Sequence, residues 1–166
     1  MRKETCSVCG ESAPVSKGKF RFNQIGLPVV LLGIDLVRCD CGNTDPIIEN
    51  VQDLMDAIAR AIVSKQTPLT GHEVRFLRKY VGKSGKDFCV GIGIEPETLS
   101  RWENSQTPIG TTGERLVRVL TMTLSPSLKE ERPRAWQILS DIHERPARGK
   151  APQMEVDVRT GNVQYV

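Results

Sequence analysis

Two cysteine pairs, Cys6-Ser7-Val8-Cys9 and Cys39-Asp40-Cys41, each followed directly by glycine, constrain this chain more than any other feature. A close pair of thiols bends the backbone round one metal ion and the glycine releases the turn, so two such knuckles must converge if they share an ion. Convergence closes the chain between them into a small loop-rich unit. Within that loop Phe20–Phe22, Val29–Leu32 and Leu36–Arg38 are short β-rich runs, broken by Gly26, Pro28, Gly33 and Asp35. We therefore expect residues 1–50 to form a zinc ribbon, a small antiparallel sheet with Cys6, Cys9, Cys39 and Cys41 holding zinc at one end. Four thiolates make a closed tetrahedral site with no place for water or substrate, so the zinc is expected to be structural. A unit of this size has too little core to fold alone and would rely on the metal. The second knuckle is shorter than the first, and neither His72 nor His143 is close enough in sequence to serve in place of a cysteine.

The stretch from Thr70 to Asn104 has a different pattern. Thr70 followed by Glu73 is a capping box that opens a helix carrying Val74, Leu77 and Val81, and Gly82 ends it. Ser84 is placed to cap a second helix with Phe88, Cys89 and Ile92 inward, and Gly93-Ile94 makes a turn. Pro96 suits the first turn of a third helix, on which Leu99 and Trp102 face inward. Glu97, Thr98, Ser100 and Arg101 are then left outward near its N-terminal half, where a helix-turn-helix meets base edges in the major groove. Cys89 has no base nearby in sequence and reads as a small buried residue rather than a nucleophile. Lys86 and Ser84 of the second helix, with Ser105, Gln106 and Thr107 after the third, are expected to meet the DNA backbone. Asn104 is expected to end the third helix in the left-handed conformation.

Flanking segments complete the layout. Val51, Leu54, Met55, Ile58 and Ile62 follow the spacing of an amphipathic helix capped by Asn50, and Ser64–Leu69 reads as a hinge, so residues 51–69 are helix and linker. Thr111 with Glu114 resembles a second capping box, opening a helix whose Leu116, Val119 and Leu120 would finish the core or in part meet a second subunit. The helical DNA-binding domain spans 70–124. Residues 125–166 form a tail, with a helix marked by Ala135, Ile138, Leu139 and Ile142, and a basic, proline-containing linker carrying Arg145, Arg148 and Lys150. A β-hairpin ends it, with valines at 156 and 158 and a turn at Thr160–Asn162. Such a hairpin is barely stable alone and must pair with something. The fold class expected is α+β: an N-terminal β zinc ribbon, a C-terminal all-α helix-turn-helix bundle and a short C-terminal hairpin.

Composition narrows the function. With 39% hydrophobic residues and no apolar run near the roughly 18 residues of a membrane span, the chain reads as a cytoplasmic protein with no membrane partner. No phosphate-cradling glycine loop, His–Glu metal motif or supported carboxylate pair is visible, so no enzyme activity is expected. Residues 70–123 carry 8 Lys/Arg against 6 Asp/Glu, and the net charge is only +3. DNA affinity would have to come from placed contacts and a homodimer.

The small Cys89 in the second helix and the Glu103-Asn104 that closes the third resemble the Cro and λ-repressor type of helix-turn-helix. Taken with CSVCG, GLPVVLLGIDLVRCDCG and LTGHEVRFLRKY running into LSRWEN, residues 6–123 resemble the MqsA-type antitoxins, whose ribbon is also called the YgiT-type zinc finger. That resemblance implies a ribbon that binds a partner toxin, an mRNA-cleaving enzyme. It also implies a helix-turn-helix that dimerises and represses its own operon on a double-stranded DNA operator. Two other readings stay open: a stand-alone regulator with no toxin, and a zinc-ribbon adaptor that binds proteins and has lost DNA binding.

Overall fold

Strand β3 (Val29–Arg38) is an almost continuous apolar run, VVLLGIDLVR, with Val29, Leu31, Ile34 and Leu36 each at most 1% exposed. A run of this kind belongs in the middle of a sheet. The computed structural model, which describes residues 2–142 and 153–166, places it there. The chain divides into two compact units, each taken as far as it is described. The first comprises Met1–Asn23, Pro28–Ala57 and Pro152–Val166; the second comprises Gln24–Leu27 and Ile58–Ala151. The architecture is α+β, with the strands in the first unit. Among the described residues no helix is long and apolar enough to cross a membrane.

In the first unit β2 (Ser12–Phe22) runs antiparallel along one edge of β3, from Val15 opposite Val37 to Phe22 opposite Val29, and β1 (Lys3–Thr5) pairs with β2 in turn. The other edge of β3 is shared end to end. β4 (Thr44–Ile47) pairs antiparallel with Asp35–Arg38, while β5 (Met154–Asp157) pairs parallel with Val29–Leu32. β6 (Val163–Tyr165) folds back on β5, giving the order β1-β2-β3-β5-β6. The expected hairpin therefore forms, and its partner is the N-terminal sheet of the same chain. Burial explains the attachment, because Met154 and Val156 are 3% and 1% exposed. The expected breaks at Gly33 and Asp35 do not occur. Gly33 bends within the strand at φ 68°, and Asp35 is held in register by Lys17 across the sheet, 2.8 Å away.

Helix α1 (Val51–Ser64) opens where expected, with Asn50 Oδ1 accepting from the N–H groups of Gln52 and Asp53 at 3.0 and 3.2 Å. Leu54, Ile58 and Ile62 are buried, but Val51, at the first position of the helix, is half exposed. The second unit continues with α2 (Gly71–Tyr80), α3 (Gly85–Ile92), α4 (Pro96–Glu103), α5 (Thr111–Leu124), a tight 3-10 segment (Pro126–Arg134) and α6 (Ala135–Ser140). The Thr70–Glu73 capping box on α2 is fully formed. Trp102 sits against two glycines: a Cβ on Gly113 would fall 2.7 Å from its ring, and one on Gly71 would collide with its carbonyl oxygen. Larger residues at either position would push α4 out of place.

Three expectations for the second unit are corrected. Thr111 and Glu114 make no capping box, because Gly110 occupies the N-cap and Glu114 turns inward to bond the guanidinium of Arg118 at 2.6 Å. The inward face of α5 is Val117, Arg118, Thr121 and Met122, whereas Leu116 and Val119 are 43% and 39% exposed. Arg118, with no exposed surface, is the reason: it reaches the carbonyl oxygens of Val63, Lys65 and Thr67 at 2.8, 2.6 and 3.0 Å. Ser64–Leu69 is consequently held by Arg118 at the carbonyls of Lys65 and Thr67 rather than running as an unattached linker. In the tail, Ile138 and Ile142 are buried as expected. His143 and the linker residues Arg145, Arg148 and Lys150 lie outside the described residues.

Candidate metal centre and candidate nucleic-acid interface

The four cysteines named from sequence converge, with every pair of Sγ atoms within 4.8 Å. Each knuckle closes by a main-chain bond, Gly10 N–H to Cys6 O at 3.1 Å and Gly42 N–H to Cys39 O at 2.9 Å, with both glycines at positive φ. Across the gap Cys6 and Cys41 sulfurs are 3.8 Å apart and those of Cys9 and Cys39 are 3.4 Å apart. A tetrahedron of thiolates at the usual metal–sulfur bond length of about 2.3 Å has edges of about 3.8 Å, so the spacing fits a single four-coordinate ion. The shorter second knuckle does not prevent convergence. Cys6 is buried, while Cys9 and Cys41 are exposed and Cys39 is half-buried.

Electrostatics supports the same reading. The N–H groups of Cys9 and Val8 point at Cys6 and bring its thiol down to about 6. Cys39 is pushed up to about 12. The N–H of Cys41 favours its thiolate, but the crowded sulfurs of Cys9, Cys41 and Cys6, together with burial, outweigh that help. One thiolate is easily formed here and a full set is not. A cation among the four sulfurs removes that obstacle.

Residues that sequence reading missed hold the two knuckles together. Asn43 Nδ2 donates to Asp45 Oδ2 at 2.8 Å and lies 3.3 Å from Ser7 Oγ and 3.6 Å from Cys6 Sγ. Ser7 N–H donates to the same Asp45 oxygen at 3.1 Å. That bond, then the one from Asn43, holds the Asp45 carboxyl below the usual range. Partners of this kind orient metal ligands. The available signal was a pair of polar residues, Asn43 and Asp45, immediately beyond the last cysteine.

In the second unit, α3 ends at Gly93, which adopts φ 69° and ψ 41° and lets the chain turn into α4. A side chain at that position would be strained. Phe88, Cys89, Ile92 and Leu99 are buried between the helices, and burial raises the Cys89 thiol above its ordinary value. Glu97, Ser100 and Arg101 are exposed on α4, Thr98 is half-buried and Lys86 is exposed on α3. Lys86 and Ser100 line one cavity of about 260 Å³ together with Arg75 and Asn104. Ser84 caps α3, accepting from Asp87 N–H at 3.1 Å and donating to its carboxylate at 2.7 Å.

The loop after α4 departs from expectation. Ser105, not Asn104, takes the left-handed conformation, at φ 56°. The N–H groups of Gln106 and Thr107 turn back to Arg101 O at 2.9 and 3.4 Å, so only their exposed side chains face outward. Glu103 carries the load of positioning α4: it is 7% exposed and accepts from Arg78 and Arg75 of α2. Neither arginine was singled out in the sequence, although Glu103 was.

No family model, curated protein or solved structure matches this chain.

Proposed function

We propose that the chain is a sequence-specific DNA-binding transcriptional repressor, built from a zinc ribbon in the first unit and a helix-turn-helix, α3–Gly93–α4, in the second. The observation that carries the reading is the face of α4. Leu99 and Glu103 are buried and anchor the helix, while Glu97, Ser100 and Arg101 are left exposed on its other side. A helix locked on one face and polar on the other suits insertion into a major groove.

Cys6, Cys9, Cys39 and Cys41 would hold the zinc, which supplies a cross-link rather than a reactive centre. With the resemblance to MqsA-type antitoxins, the reading extends to a homodimer that represses its own operon and binds a toxin through the ribbon. Selection from random double-stranded DNA with the purified full chain tests the first part, and a recovered palindrome bound by two chains is the expected result. A chain that enriches no sequence over the starting pool is not a repressor of this kind. Co-purification with the product of the adjacent gene tests the second part.

A further inference from the structure

Behind the loop that follows α4 lies a second cavity of about 420 Å³, within the roughly 300–1,000 Å³ usual for small-molecule sites. Its walls are mostly apolar, formed by Leu69, Val74, Trp102, Pro108, Ile109 and Ile142. Glu114 also lines it, at 3% exposure. Among the described residues only one oxygen of that carboxylate is engaged. Oε1 accepts from Leu69 N–H at 3.1 Å and from Arg118 Nη2 at 2.6 Å, whereas Oε2 has no hydrogen-bond partner among the described residues.

A nearly buried acceptor with an open lone pair on the wall of an apolar cavity calls for a donor. Arg118 already neutralises Glu114, so a cationic ligand would bring an unbalanced charge into a buried place. A neutral donor has no such cost. We propose that this cavity binds a small, neutral, flat apolar molecule carrying one N–H or O–H, which lies against the wall that includes Trp102 and donates to Glu114 Oε2. Aromatic contact with the indole of Trp102 and burial of the ring supply affinity, and the single hydrogen bond supplies orientation. Ser105 and Thr107 belong to the same wall, so occupancy bears on the loop beside α4. If the DNA-binding reading holds, the ligand also modulates operator affinity, a consequence that rests on that reading and is measured separately.

The test uses the full chain, without DNA, and indole as the probe, followed by amide chemical shifts. Benzofuran, which has the same shape but no donor, is the comparison, and tryptamine is the charged one. Indole should shift resonances of Leu69–Val74 and Trp102–Ile109 and bind about tenfold more tightly than benzofuran, with tryptamine weaker than indole. Glu114→Gln, which turns an amide donor toward the cavity, should abolish the preference for indole over benzofuran. Ile109→Trp and, independently, Ile142→Trp should fill the cavity and remove binding of both. Absence of indole binding, equal binding of indole and benzofuran by the native chain, or shifts that persist in a folded cavity-filled variant would each overturn the proposal.

Discussion

Arg78 grips Glu103 with two parallel bonds, Nε to Oε1 at 2.6 Å and Nη2 to Oε2 at 3.0 Å, and so ties α2 to the last turn of α4. Arg75 adds a third bond to the same carboxylate at 3.2 Å. Burial alone would raise the pKa of Glu103, but Arg78, then Arg75, overcome it and the carboxyl titrates below its ordinary range. Glu103→Gln should therefore destabilise the second unit by about 2–4 kcal/mol, below the full value for a buried pair because Arg75 is 37% exposed. The sign with pH follows from the lowered value. The carboxylate stabilises the fold above the unfolded-state range near pH 4, and that contribution is lost as the pH falls through the lower folded value. Urea titrations of native and variant chains should differ at neutral pH and converge in acid; a difference that grows in acid would show the pair is not the source.

Purified, reduced protein should carry one metal ion per chain, and Cys9→Ser should lose it. A chelator should unfold the first unit while the helical circular dichroism of the second persists. Asn43→Ala leaves all four sulfurs and should still weaken metal binding by about 10–100-fold, the usual effect of removing a group that orients ligands. Competition against a chromophoric chelator reads this directly, and an unchanged affinity would reduce Asn43 to a bystander.

Arg118→Met should cost about 3–5 kcal/mol, since it removes the partner of a buried carboxylate and strands the carbonyls of Val63, Lys65 and Thr67. Limited proteolysis offers a local readout. The native chain should resist cleavage at Ser64–Leu69 and the variant should be cut there early; equal resistance would mean the clamp is not what orders the segment.

On a selected operator, Arg101→Ala should lose about 1–3 kcal/mol and relax preference at one base pair per half-site. Lys86→Ala should weaken every sequence alike and lower the salt slope by about one. Equal loss on operator and random DNA for Arg101→Ala would remove this residue from base reading.

Local signals in the sequence were legible where the chemistry is local. The Thr70–Glu73 cap, the Gly93 turn and the cysteine knuckles each depend on residues a few positions apart, and each is found as read. What was not legible depends on partners far along the chain. Arg118 looks like one more surface cation on α5 until the carbonyls of Val63, Lys65 and Thr67 come within reach. With Arg118 inside, the apolar Leu116 and Val119 turn outward, contrary to what hydrophobic periodicity implies. At the metal site the ligands were visible and their bracing by Asn43 and Asp45 was not, because no spacing rule covers such contacts.

The pairing of Val29 with Met154 has a consequence for the order in which the protein can be made. A ribosome releases β3 long before it has read β5, so the edge of β3 at Val29–Leu32 waits, apolar and unsatisfied, through synthesis of every helix of the second unit. During that interval the nascent chain offers an open template to any extended segment nearby. The first unit begins the chain and yet is among the last parts to be finished, so messages truncated before β5 should yield products with intact helices and a sticky N-terminal sheet.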